Sequence, residues 1–289
     1  MSTCRVVEIV TPKKFKLNGL WFGPKKPKRV VVWVHGLGSS VFSMLPVVKA
    51  LADTKIAVLA FNNRGHDVIS RLSSAKKKKK PTLAGAAHEV FTECIDDIQG
   101  AISFVRGKGV KEIYLAGHST GCQKSVYFIS KTRTRPPVKG LILVAPVSDY
   151  ASARHLHGAR KIERATKFAR GLVRRGKQHE LLPSNLWSQK LDDAQRFLSL
   201  YTPQSSETIF TYDMPKVNPA TYKRVEVPML VVWAEKDEYA DRSAKEIIDW
   251  FKDHAQSEGF RAIVVSKVGH NFHPAEKAVA SHIRRWISA

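Results

Sequence analysis

The sequence predicts one α/β domain, a mostly parallel sheet covered by helices on both faces, with a helical insertion late in the chain. Three observations carry this expectation. Short runs made wholly of apolar residues, bounded by turn residues, read as strands buried on both faces. Segments of helical period lie between them, and strict strand-helix alternation implies parallel strands with helical crossovers. From Ser148 to Glu226 the alternation stops, and it resumes at Val227-Pro228-Met229. The expected organisation is therefore a core of residues 1–147 and 227–289 interrupted by a lid of residues 148–226.

Taken in order, Arg5 to Thr11 and Phe15 to Phe22 flank the turn Thr11-Pro12-Lys13-Lys14 and read as an antiparallel hairpin at the sheet edge. Val30 to Val34 and Ile56 to Phe61 are the first fully buried strands. Arg71 to Gly85, with the unbroken run Lys76 to Lys80, has too few apolar residues to pack and reads as a mobile solvated loop. Val90, Phe91, Cys94, Ile95, Ile98 and Ile102 recur at helical spacing. Strand Glu112 to Ala116 follows, then a helix from Cys122 to Ile129, then strand Leu141 to Ala145. Within the insertion, Pro183, Pro203, Pro215 and Pro219 break helix-like patterns. Its aromatics Phe168, Trp187, Phe197, Tyr201, Phe210 and Tyr212 are needed mainly to dock it on the body, leaving two or three to face a substrate. Met229 to Ala234, a helix containing Ile247, Ile248 and Phe251, strand Arg261 to Lys267 and helix Ala275 to Ile287 complete the core.

Composition narrows the class. With 289 residues and 43% hydrophobic content the chain can bury a large core. The N-terminus lacks a charged segment followed by a long apolar one, and no apolar run approaches bilayer length, so a cytoplasmic protein without a transmembrane segment is expected. Cys4, Cys94 and Cys122 are odd in number and have neither pair spacing nor a zinc pattern, which argues against disulfides and a cysteine-based metal site. They read as free thiols, with Cys122 beside the serine turn as the one that could respond to oxidation.

Gly117-His118-Ser119-Thr120-Gly121 joins a strand to a helix, with small residues flanking the serine, which is the arrangement of a nucleophile elbow. Gly-x-Ser-x-Gly alone arises by chance in roughly one chain in ten of this length, so the strand before and the helix after carry most of the weight. A serine hydroxyl needs a base, and the base needs a group that fixes its tautomer. Asp237 follows strand Met229 to Ala234, at the carboxyl edge of the sheet where ligands bind in open α/β folds. His270 follows the last strand, after Gly269. The chain order Ser119, Asp237, His270 is the order that goes with this elbow. Alternatives stay open: Asp237 as a helix N-cap, although Asp241 is better placed to cap, and His273 as the base. His66, His88, His118, His155 and His157 read as structural, surface or lid residues. Backbone N–H donors for a tetrahedral oxyanion are assigned to Thr120 and to Leu37 in the turn His35-Gly36-Leu37-Gly38. That turn lacks the lysine signature of a nucleotide P-loop.

Gly117 to Gln123, together with Arg135-Pro136-Pro137-Val138-Lys139-Gly140-Leu141-Ile142-Leu143-Val144-Ala145-Pro146-Val147-Ser148-Asp149, resembles the α/β-hydrolase superfamily, and within it the family that includes fungal fusarinine (siderophore) esterases. The resemblance implies an eight-stranded hydrolase fold, a triad of Ser119, His270 and Asp237, and ester hydrolysis; the serine mechanism itself requires no metal or organic cofactor. Asn62-Asn63-Arg64-Gly65-His66-Asp67 is similar to the arginine-glycine-histidine loop of other hydrolases, a structural brace beside the pocket. A small-molecule acyl ester is the expected substrate. An acylglycerol lipase, a thioesterase and a small-peptide hydrolase share the machinery. From another class, a non-catalytic hydrolase-fold protein binding a ligand or an anionic surface is the rival.

The formal net charge of +23 bears on partners. From Arg154 to Lys177 nine Lys or Arg stand against Glu163 alone. A solvated basic face, attraction of anionic esters, and peripheral contact with an anionic surface are the competing accounts. No nucleic-acid-binding motif accompanies the charge, so no specific nucleic-acid partner is expected.

Overall fold

The computed structural model describes residues 4–132, 137–188 and 191–289. Of the residues named above, Arg135 and Pro136 lie outside the described residues.

The first half of the chain contains strands β1 (Cys4–Val10), β2 (Lys16–Phe22) and β3 (Arg29–Val34), helix α1 (Leu45–Leu51), strands β4 (Ile56–Phe61), β5 (Ser70–Leu72) and β6 (Thr82–Ala84), helix α2 (Cys94–Gly107), strand β7 (Glu112–His118), helix α3 (Thr120–Lys131) and strand β8 (Gly140–Val144). Helices α4 (Asp149–His157), α5 (Ala159–Arg174), α6 (Ala194–Tyr201) and α7 (Ala220–Lys223) follow. Strand β9 (Met229–Ala234), helix α8 (Ala244–His254), strand β10 (Phe260–Val265) and helix α9 (Glu276–Ser288) close the chain. Eight strands form one sheet in the order β1-β2-β4-β3-β7-β8-β9-β10. The hairpin β1/β2 and the β2/β4 pair are antiparallel, and the remaining pairs are parallel.

Period-two alternation within the all-apolar strands feeds two cores. Val30, Val32 and Val34 of β3, with Met229, Val231 and Trp233 of β9, pack on the face covered by α2, α3 and α8. Val31 and Trp33, with Leu230, Val232 and Ala234, pack on the face covered by α1 and α9. Each such valine, leucine or methionine side chain stabilises the fold by about 1.5–3 kcal/mol through removal from water. A third cluster belongs to the insertion, where Ile162, Ala165, Ala169 and Leu172 of α5 meet Trp187 and the α6 residues Phe197, Leu200 and Tyr201.

Several details depart from the sequence expectation. Helix α1 was not anticipated; its Leu45-Pro46 start uses proline where a helix leaves its N–H unbonded anyway. The ends of the expected loop Arg71 to Gly85 pair as the ribbon β5/β6, because Leu72 and Ala84 reach the core while Lys76 to Lys80 stay exposed at its tip. The last strand stops at Val265, and Lys267 turns the chain at φ 61. The tail of the insertion is not lid-like. Ile209, Phe210, Tyr212, Tyr222 and Val225 pack into the sheet's own core, with Phe210 stacked edge-on against Phe251 at 5.0 Å.

The Asn62 to Asp67 loop is braced through Arg64. Its guanidinium donates to both oxygens of Asp97, to Asp96 at 2.9 Å and to Glu93 at 2.6 Å, and its backbone N–H donates to Asp97 at 2.8 Å. These carboxylates lie at the start of α2, and Asp97 is fully buried. Removing one partner of such a cluster leaves buried charge uncompensated. Arg64→Ala is therefore expected to lower the unfolding free energy by about 3–5 kcal/mol in urea titration, and a loss under about 1 kcal/mol would show that the loop is held by other contacts.

Candidate active site

Strand β7 ends at His118 and α3 begins at Thr120, so Ser119 alone makes the turn, at φ 55 and ψ −128. A non-glycine residue held there costs about 1–3 kcal/mol, which the surroundings must over-determine. They do so by close approach of backbones. A Cβ on Gly117 would lie 2.3 Å from the Gly121 carbonyl oxygen, and one on Gly121 would lie 2.2 Å from that of Val34. The ends of β3 and β7 and the first turn of α3 thus meet where no side chain fits. The Ser119 N–H donates to the Val144 carbonyl at 3.0 Å, tying the turn to β8 as well.

The turn after β3 lies against the serine side chain, since a Cβ on Gly36 would sit 2.9 Å from the Ser119 Cβ and 3.4 Å from its Oγ. His35 sets that turn. Its Nδ1 lies 2.8 Å from the Gly36 carbonyl and its Nε2 accepts the Asn63 N–H at 3.2 Å, so Nδ1 carries the proton. Burial, aided by the Lys124 charge, pushes the His35 pKa down to about 3, consistent with a neutral ring. Leu37 follows in this turn and lines the cavity beside Ser119. Thr120 is the first residue of α3, where an N–H has no intrahelical partner and the helix dipole favours negative charge.

Asp237 and His270 come from the loops after β9 and β10. Parallel pairing of these strands, Ala234 with Val265, puts the loops side by side at the carboxyl edge of the sheet. Asp237 Oδ2 lies 2.8 Å from His270 Nδ1, and both side chains are buried. Asp237 Oδ1 accepts the Tyr239 N–H at 3.0 Å, which aims the carboxylate. The His270 N–H donates to Glu238 Oε2 at 2.8 Å. Gly269 is required here, because a Cβ on it would stand 2.8 Å from that same oxygen. The Tyr239 ring meets the His270 ring edge-on at 4.7 Å. With Nδ1 facing Asp237, Nε2 is the nitrogen through which His270 can take a proton.

The structure places the other sequence candidates elsewhere. His273 is exposed and pairs with Glu276 at 2.9 Å. Asp241 binds the Arg242 guanidinium and caps no helix; the cap of α8 is Ser243, in a reciprocal box with Glu246. A choice between polar residues two positions apart rests on backbone geometry that the sequence pattern does not specify. Cys122 is buried with its thiol pushed well up by burial, which leaves little thiolate for oxidation.

Ser119 and His270 line one cavity of ≈ 220 Å³ with Gly36, Leu37, Ser39 and Tyr239 from the core. From the insertion come Ser152, Leu156 and His157 on α4 and Tyr201 on α6. Of the six aromatics expected to supply two or three substrate contacts, Tyr201 alone lines this cavity. Trp187 and Phe197 pack with it at 5.1 Å centroid separations inside the insertion, and Phe210 and Tyr212 face Trp250.

His118, read from the sequence only as one of five structural, surface or lid histidines, is buried and has a specific structural part. Its Nε2 lies 3.2 Å from the His270 carbonyl and its ring is 5.0 Å from the His270 ring. An Nε2–H donated to that carbonyl ties the loop carrying His270 to the residue before Ser119. Its position inside the Gly-x-Ser-x-Gly pattern was the available signal.

Comparison with known proteins decides the family. The pattern of the family described as "Protein of unknown function (DUF1749)" matches residues 21–287. The chain belongs to that family. The Aspergillus fumigatus siderophore hydrolase EstB superposes with a TM-score of 0.71 at 17% identity, covering 98% of this chain and 97% of that one. The Pyrococcus furiosus esterase Pf2001 gives a TM-score of 0.62 at 18% identity, covering 99% and 91%. At such identities the likeness shows the fold, which is that of the α/β-hydrolases. A Mycoplasma pneumoniae protein whose name reads "Putative esterase/lipase 2" is 29% identical over 127 residues, 44% of this chain, so the match spans about two fifths (41%) of that protein's length. Among the described residues no helix is long and apolar enough to cross a membrane.

His118 gives a testable pH dependence. Burial, then the nearby His270 charge, lowers its pKa from 6.5 to about 3. The unfolded chain therefore takes up a proton that the folded chain refuses between those values, so stability is full above pH 6.5 and falls as pH drops. His118→Gln is expected to flatten the slope of unfolding free energy against pH, measured between pH 6 and 4, by about 1.4 kcal/mol per pH unit. An unchanged slope would mean that His118 protonates in the folded state.

Proposed function

We propose that the chain is a serine hydrolase that cleaves a carboxylic ester through an acyl-enzyme, with Ser119 as nucleophile, His270 as base and Asp237 as the group that orients His270. The observation that carries this reading is the 2.8 Å contact of Asp237 with His270 Nδ1 on a ring that lines the same cavity as the strained Ser119. The names of the similar proteins, esterases and a siderophore hydrolase, support it.

The chemistry follows from these positions. Ser119 Oγ attacks the acyl carbon as His270 Nε2 takes the hydroxyl proton, and the carbonyl π pair moves onto oxygen. Asp237 stays ionised and stabilises the imidazolium. The N–H groups of Leu37 and Thr120 receive the oxyanion. Collapse re-forms the carbonyl and breaks the bond to the alcohol oxygen, which leaves with the proton from His270. Water then attacks the acyl-serine, His270 removes its proton, and a second collapse releases the acid and restores the Ser119 hydroxyl. Nothing in these steps calls for a metal or organic cofactor. Within residues 148–226, helices α4 to α6 act as the lid, with α4 and α6 shaping the substrate side of the cavity.

The substrate reading extends to charge. A second cavity, ≈ 460 Å³, shares Tyr201 with the catalytic one and is lined by Lys167, Arg170 and Arg174 against Glu163. Positive potential focused in a groove raises the local concentration of anions, so an ester carrying a carboxylate is the substrate class we favour.

Two experiments test this function. Ser119→Ala should lower kcat by about four to six orders of magnitude in p-nitrophenyl ester turnover with an unchanged melting temperature; retained turnover would remove Ser119 from the nucleophile role. Replacing Lys167, Arg170 and Arg174 together with Gln should raise KM for carboxylate-bearing esters by about tenfold at low salt while leaving neutral esters within about twofold. Equal effects on both classes would assign the charge to a solvated surface.

A further inference from the structure

Away from the catalytic cavity, the fold gathers His88, His179 and Asp193, residues far apart in the sequence. His88 lies in the core segment before α2, whereas His179 and Asp193 belong to the insertion. His88 Nδ1 and His179 Nδ1 each lie 3.0 Å from the same oxygen, Asp193 Oδ2, and the three atoms all fall within 4.8 Å of one another. Ligand atoms bound at about 2.0–2.2 Å around one ion stand about 3–3.5 Å apart, which the two 3.0 Å separations from Asp193 Oδ2 match.

The surroundings favour one. Asp193 is fully buried, and a buried carboxylate is costly unless a positive charge compensates it. A divalent ion supplies that charge without requiring either imidazole to be protonated. The other carboxylate oxygen, Oδ1, accepts the Arg196 N–H at 2.8 Å, so the carboxylate is held with Oδ2 facing the two rings. The backbone is fixed as well: the Asp193 N–H donates to the Ala87 carbonyl at 2.9 Å, and Leu181 bridges to Asp193. The His179 side chain is 58% exposed, which leaves room for ions to enter and for water to complete the coordination.

We propose that His88, His179 and Asp193 bind a divalent transition metal ion, zinc by its preference for two imidazoles and a carboxylate, and that the ion fastens the insertion to the core. The expectation of no metal site rested on cysteine spacing and could not register ligands that only the folded chain brings together. The site is independent of the ester chemistry, since none of its ligands lines the catalytic cavity.

The test uses Zn²⁺ alone on the full chain, stripped with chelator, reloaded and passed through gel filtration. The wild type should retain one zinc per chain by mass spectrometry and gain about 5 °C in melting temperature at a hundredfold excess over the dissociation constant. His179→Ala alters an exposed side chain, and should match the zinc-free wild type in melting temperature while retaining less than a tenth of the metal. A wild type that holds no stoichiometric zinc would overturn the proposal in favour of a hydrogen-bonded cluster. Equal zinc retention by His179→Ala would overturn it by placing the metal elsewhere.

Discussion

The structure depends on a close approach of three backbones. Where β3 and β7 end together, Val34 paired with Gly117, the first turn of α3 presses so near that residues 117 and 121 can carry no side chain. That crowding forces the reversal at Ser119 into a conformation an ordinary residue avoids, and the same crowding keeps it there. Ser119 thereby lines one cavity with residues of the loops after β3 and β10. Sheet register, helix docking and the cavity all follow from how tightly these segments meet.

Behind the turn, a buried chain of charges holds the pieces in place. Lys124, on α3, is fully buried and meets Glu89 at 2.6 Å and Asn63 at 3.2 Å. Burial works to raise the Glu89 carboxyl, but Lys124 and Arg196 outweigh it and hold it below the ordinary carboxylate range. Arg196, on α6, reaches Glu89 at 3.2 Å and Glu207 at 2.6 Å. The Asn63 backbone in turn fixes His35 and with it the turn beside the serine. Burying such charges costs desolvation that their attraction repays only with good geometry, so the network is weak evidence for added stability. Its effect is positional: it joins the elbow helix, the turn carrying Leu37 and the insertion through one carboxylate, so a shift in any of them is felt by the others.

Much of this was legible in the sequence because buried parallel strands are uniformly apolar and because an elbow needs small residues at fixed offsets. Val30 to Val34 and Met229 to Ala234 could be placed as strands from composition alone, and strand-helix alternation left few topologies. The serine, the carboxylate and the imidazole fell at strand ends, where the polypeptide must change direction and function concentrates. What the sequence did not convey depends on packing between distant segments. Leu72 and Ala84 looked too sparse to fold until the ribbon they form found the core, and Phe210 and Tyr212 read as insertion aromatics although they pack against Trp250 of α8. Trp187 and Phe197 carry the same signal as Tyr201, yet only the last lines the cavity beside Ser119, because which side of a small helical cluster faces solvent is set by its docking. His88, His179 and Asp193 share no motif and meet only through the fold.

The central claim is that Ser119 is activated by His270 and Asp237 within the catalytic cavity, and covalent labelling tests it most directly. The folded protein should react with a fluorophosphonate at one site, giving an intact mass raised by a single phosphonyl group that peptide sequencing places on Ser119, at a rate that drops by several orders of magnitude in His270→Ala. Absence of labelling in the folded wild type, or an adduct on another residue, would contradict the account.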